Sequence, residues 1–178
     1  MAASKELQAI ERKLQQLEQK RIDLLGALAA LPDERLIAKP DPNRWTLLQV
    51  AQHLMLAEKS VRDQALSGER HAPDRRGLRH RVLYWVVLAI LRFGIRVRVP
   101  SESMVPDGET TLAEIERAWE SSQIQLKQFA EGLDTSSARD PIFRHPVCGP
   151  MTPSQALTLA LVHFDSHRRK IDLTFTEP

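Results

Sequence analysis

Cysteine is almost missing from this chain: Cys148 is the one thiol in 178 residues. A single thiol excludes an intramolecular disulfide framework and a cysteine-rich zinc module, and it points to a reducing, cytoplasmic location. Charge of one sign is lacking too. The net charge is +2, from 25 basic and 23 acidic residues, so charge gives no reason to expect a nucleic-acid partner. Long apolar runs are absent. The longest, Val82 to Leu91, has ten residues and is stopped by Arg92, against the roughly 20 that a membrane-spanning helix needs. The opening residues MAASKELQAIERK are charged and helical in character, unlike a signal peptide. Aromatics are 5% of the residues, strand-like alternation is rare, and neither an internal repeat nor a low-complexity segment occurs. A 27% charged fraction argues against wholesale disorder. The expectation is a soluble, cytoplasmic protein with a single domain over 1–178.

What is present is helical periodicity. Leu7, Ile10, Leu14, Leu17, Leu24, Leu28 and Leu31 form a stripe at 3-and-4 spacing that only Arg21 interrupts, and Pro32 ends the helix. Residues 32–45 read as a loop. A second helix begins at Thr46, which has Gln49 at capping-box spacing, with an inward stripe of Leu47, Val50, Leu54, Ala57 and Val61. A third starts at Thr111, with Glu114 at the same spacing, and carries Leu112, Ile115, Trp119, Leu126, Phe129 and Leu133, with Ser122 in the gap. PIFRHPVCGP reads as a loop. Thr152 then caps the last helix, with Pro153 in its first position and Gln155 three after the cap. The fold class is all-α: a four-helix bundle whose long second crossover carries an extra helical segment.

Six histidines are His53, His71, His80, His145, His163 and His167. His163 and His167 are four apart on the last helix, which puts both imidazoles on one face within reach of one metal ion. His53 lies on or beside the inward stripe of the second helix. Three neutral imidazoles meeting in a bundle leave open positions for water or substrate. A core-facing histidine is more often hydrogen-bonded than ligating, and spacing alone leaves that open. No H-E-x-x-H, no glutamate three before a histidine and no C-x-x-C is present, which excludes zincin, di-iron and zinc-ribbon patterns.

Two stretches resemble a known family. One is Trp45-Thr46, then Gln49-Val50, then His53-Leu54, with Glu58 beyond; the other is residues 145–171, HPVCGPMTPSQALTLALVHFDSHRRKI. Together they resemble the DinB/YfiT-like superfamily of small helical proteins, and the order of helices extends the likeness to nearly the whole chain. The resemblance implies a metal site on His53, His163 and His167, and a divalent ion, zinc or nickel by the preference of imidazole. It also implies a metal-dependent enzyme acting on a small-molecule substrate: a transferase using a low-molecular-weight thiol, or a hydrolase. Cys148 stands where the family often has an aromatic, and Lys170 where glutamine is common. The rival reading is a non-catalytic metal-binding or dimerising stress protein.

Residues 70–98 hold eight arginines against one acid, Asp74. They read as a solvated basic loop beside a buried helix, with an anion- or membrane-surface binder as the alternative. The run from Val82 to Leu91 is apolar all round, so it should be buried or at an interface, and a homodimer is expected through it. Cys148 reads as a small buried hydrophobe rather than a reactive thiol. Trp45 reads as an anchor for the second helix, with a wall of the site as the alternative, and His145 either lines the pocket mouth or packs the loop. Asp165 and Ser166 should point away from the histidines.

Overall fold

The computed structural model describes residues 2–39, 41–42, 44–68, 77–95 and 102–176, with the side chains of 2–4 and 172–176 left out. The helices are α1 (Ala2–Ala29), α2 (Asp33–Ile37), α3 (Leu47–Leu66), α4 (Leu78–Arg92), α5 (Leu112–Glu131) and α6 (Pro153–Thr176). A hairpin of β1 (Phe143–His145) and β2 (Gly149–Met151) precedes α6, and 3-10 turns occupy Glu102–Met104 and Ser137–Arg139. The four long helices close a ring in which α1 touches α5 and α6, and α3 touches the same two. This is the expected all-α bundle, and α4 is the extra segment of the α3–α5 crossover, packed on α6. His71, Asp74, Arg70, Arg75, Arg76, Arg96 and Arg98 lie outside the described residues.

Local chemistry sets the helix starts. At α3, the Thr46 amide donates to Gln49 Oε1 (3.0 Å) and the Gln49 amide to Thr46 Oγ1 (3.1 Å). Thr111 with Glu114 and Thr152 with Gln155 repeat the arrangement at α5 and α6. Each box satisfies two amides that the helix cannot.

Two stretches expected as loops are structured. The 32–45 loop contains α2, which exists because Leu36 has a hydrophobic neighbour to bury against: it packs with the Leu24, Leu28 and Leu47 end of the core. The PIFRHPVCGP loop is the antiparallel hairpin, in register Phe143↔Met151, Arg144↔Pro150 and His145↔Gly149. Phe143 and Met151 are buried in the core, and the Arg144 amide donates to Gln64 Oε1 of α3 at 2.8 Å. Three-residue strands, with Pro146 between them and Pro150 inside the second, carry too short a pattern to read as β. Glycine is favoured at 149 on two counts. Its φ is +72°, and a Cβ there would meet the His80 ring at 3.0 Å.

The core is split. One hydrophobic cluster gathers Ile10, Leu14, Leu17, Leu126, Phe143 and Leu157; the other gathers Leu24, Leu28, Leu54, Ile115, Trp119 and Phe164. On three helices a buried polar residue separates them in sequence: Arg21 on α1, Glu58 on α3, and Ser122 with Gln123 on α5. Arg21, which interrupts the leucine stripe, therefore stays on it and is buried. It donates from Nε and Nη2 to the two carboxylate oxygens of Glu18 at 2.7 and 2.8 Å, a bidentate pair. Glu58 has no such partner. Burial pushes its carboxyl up to about 7, and Trp119, Gln123 and the Arg21 charge hold it from rising further. Glu58 Oε1, Trp119 Nε1 and Gln123 Nε2 are buried without a well-formed hydrogen bond.

Candidate metal centre

α6 carries His163 and His167 one turn apart, and α3 carries His53 against them. The three imidazoles each offer a ring nitrogen, and those atoms all lie within 4.8 Å of one another. Ring centroids are 4.7 Å apart for His163–His167, 4.8 Å for His53–His167 and 5.1 Å for His53–His163. His53 Nε2 and His163 Nε2 are 3.2 Å apart. Two nitrogens bound to one zinc ion at its usual bond length sit roughly 3 Å apart, so this pair fits an ion directly. The spread to 4.8 Å leaves the third nitrogen to close by a side-chain adjustment.

The tautomer is set by the backbone. His53 Nδ1 donates to the carbonyl of Met104 at 2.7 Å, which leaves Nε2 as the lone-pair nitrogen facing His163. The carbonyl is placed by the residue next to His53. Gln52 Nε2 donates to Asp107 Oδ1 (2.7 Å) and Thr110 Oγ1 (2.8 Å), fastening the start of the α5 segment and the loop after Met104 to α3. His167 Nδ1 is buried with no hydrogen-bond partner, a donor or lone pair for which the protein supplies no use.

Electrostatics keep the ring nitrogens free of extra protons. Burial is the largest cause in each case. It lowers His53, pushes His163 down to about 3 with help from His53, Lys170 and His145, and drives His167 well below the usual imidazole range, with the other two histidines and Lys170 adding to it. Neutral imidazole is the ligating form. The group of three contains no carboxylate or thiolate, so it would bring no charge of its own to an ion and leave coordination positions open.

The remaining candidates separate cleanly. Trp45 is not only an anchor: its ring lies 4.8 Å from that of His53 and stacks at 6.3 Å on His167, forming a wall of the site. His145 organises the hairpin, with Nδ1 accepting from the Val147 and Cys148 amides at 3.1 and 3.3 Å. Cys148 is buried, its thiol pushed up to about 11 by burial, 3.8 Å from Met151 Sδ. Asp165 turns away to pair with Lys20 of α1 at 2.5 Å, and Ser166 is buried on another face. The Met104 carbonyl and Gln52 were invisible to motif reading, because a backbone oxygen has no sequence signature. Lys170 was visible in principle, since it lies three residues after His167 on the same face.

A family model described as DinB superfamily matches residues 16–171. The chain belongs to the DinB superfamily. No curated protein and no solved structure matches it. The matched span contains all three histidines, both segments that carry the sequence resemblance, α3 and α5 whole, the second half of α1, and α6 up to residue 171. For this DinB superfamily chain the established features are thus the helical fold and a three-histidine group that could hold a metal ion. No described helix is long and apolar enough to cross a membrane.

Proposed function

We propose that His53, His163 and His167 hold one divalent first-row cation, zinc or nickel, and that the protein is a metal-dependent enzyme acting on a small molecule. The observation that carries the reading is the meeting of three uncharged ring nitrogens from two helices within 4.8 Å, with no fourth protein ligand in the group among the described residues. A structural zinc site is normally closed by four protein ligands, whereas a catalytic one keeps a position open. A cation there would act as a Lewis acid, lowering the pKa of a water or thiol placed on an open position. That chemistry serves hydrolysis with water and group transfer with a low-molecular-weight thiol.

The chain's own residues would orient the ligands and shape the approach. The Met104 carbonyl fixes the His53 tautomer, and Trp45 covers one side of the rings. The test is elemental analysis of purified protein and of His53→Ala, His163→Ala and His167→Ala variants, followed by turnover assays with ester, amide and thiol-acceptor substrates. About one metal ion per chain, lost in each variant, supports the site. Unchanged occupancy in the variants removes it. Metal binding with no turnover in any class favours a non-catalytic metal-binding protein.

A further inference from the structure

α4 has two contrasting long sides. One packs on α6 and buries Tyr84, Val87 and Leu88. The α4 C-terminus is pinned there as well, because Arg169 Nη2 of α6 donates to the carbonyls of Leu91 and Arg92 at 3.2 and 3.0 Å. The other side is apolar and exposed: Leu78 is 76% accessible, Val82 51%, Trp85 67% and Phe93 78%. With Ala89 these residues follow the 4-3-4-4 spacing of one line along the helix. A tryptophan and a phenylalanine left largely in water on one continuous stripe are unusual on a soluble surface.

The edges of the stripe carry charge of one sign. At about 100° per residue, Arg81 and Arg92 fall to one side of the line and Arg79 to the other, all three exposed. Among the described residues none of the three is in an ion pair. The sequence around them agrees: between Asp74 and Glu102 there are seven arginines and no acid. An apolar stripe with aromatic residues, bordered on both sides by arginines, matches a helix lying in the plane of a lipid interface. Its apolar line enters the acyl boundary while the long cationic side chains reach back to the headgroups.

We propose that the exposed face of α4 docks on a bilayer surface bearing anionic lipid headgroups. Charge decides between this occupant and a second copy of the chain. A two-fold pairing through the stripe would bring two sets of unpaired arginines together, whereas an anionic surface neutralises them. The proposal is independent of the metal site, because the stripe and the histidines lie on different faces of different helices.

The experiment is co-sedimentation of the full chain with vesicles of phosphatidylcholine alone and with added phosphatidylserine, at low and at half-molar salt. Light scattering in the absence of lipid runs alongside. Binding to the anionic vesicles only, weakened by salt, is expected. Arg81→Gln with Arg92→Gln should weaken it by about fivefold per arginine, and Trp85→Ser by roughly tenfold, with circular dichroism showing unchanged helicity. His163→Ala should bind vesicles as the wild type does. Absence of binding to anionic vesicles at low salt overturns the proposal, as does binding that both the arginine pair and Trp85→Ser leave intact. A lipid-free dimer that Trp85→Ser converts to monomer also overturns it, in favour of a second copy.

Discussion

His53 and Gln52 are neighbours on α3 that act on the same crossover segment from adjacent positions. The His53 ring donates to the Met104 carbonyl at 2.7 Å, and the Gln52 amide holds Asp107 and Thr110 at 2.7 and 2.8 Å. The second contact places the first. Partners that orient a ligating imidazole typically matter by 10–100-fold in metal affinity. Gln52→Ala should therefore weaken zinc binding by about tenfold while His53 itself remains in place. Competition titration with a chromogenic chelator measures this. Wild-type affinity in Gln52→Ala would show that the crossover does not tune the site.

Metal binding should stabilise the fold without creating it. The ligands come from α3 and α6, which each carry their own caps and apolar faces, so the bundle does not depend on an ion for its core. Saturating zinc at about 100 times its dissociation constant adds about 2.7 kcal/mol, a rise in Tm of roughly 5–10 °C for a chain of this size. Chelation should reverse the rise and leave a helical spectrum, and His163→Ala should show no rise. Loss of helicity on chelation at room temperature would instead identify a structural metal.

Glu58 makes a pH-dependent contribution of opposite sign to a paired carboxylate. Its folded pKa is raised to about 7 by burial, from 4.5. The folded state therefore binds the proton more tightly than the unfolded state, and stability falls as pH rises from about 4.5 to about 7, then levels. The depressed histidines act the other way, losing stability as pH falls below about 6.5. Glu58→Gln keeps those histidines and removes the carboxylate. Relative to wild type it should be near neutral at pH 4.5 and more stable at pH 8 by on the order of 3 kcal/mol. Urea unfolding at both pH values decides this, and a pH-independent difference would contradict the assignment.

Gly149 faces two penalties at once, a left-handed φ of +72° and a Cβ contact of 3.0 Å with His80. Gly149→Ala should cost about 1–3 kcal/mol. Adding His80→Ala removes the crowding but not the backbone strain, so the double variant should recover only part of the loss. Full recovery in thermal melts would assign the whole cost to crowding, and no recovery would assign it to φ.

The site and the bundle were legible for different reasons. Long helices announce themselves because a 3.6-residue period repeated over five or more turns survives single interruptions such as Arg21. Their starts at Thr46, Thr111 and Thr152 were legible because a capping box is local chemistry within four residues. His163 and His167 were a spacing pattern on one helix. His53 was a candidate third member by its place on or beside the second helix's stripe, the family resemblance assigned it to the set, and the packing of α3 on α6 brings the three nitrogens to within 4.8 Å.

Other features belong to the tertiary structure alone. Whether Leu36 forms a helix depends on the α1 and α3 side chains that cover it. Whether residues 143–151 pair as strands depends on a core that takes Phe143 and Met151. The run from Val82 to Leu91 is apolar on all sides in sequence, so only the docking of α4 on α6 decides that Tyr84, Val87 and Leu88 are buried and Trp85 is left in water. The approach of Arg21, Trp119 and Gln123 to Glu58 is likewise a product of packing. Sequence determines each helix through contacts three or four residues apart. The residues that face one another across helices are chosen by long-range burial, which no local period encodes.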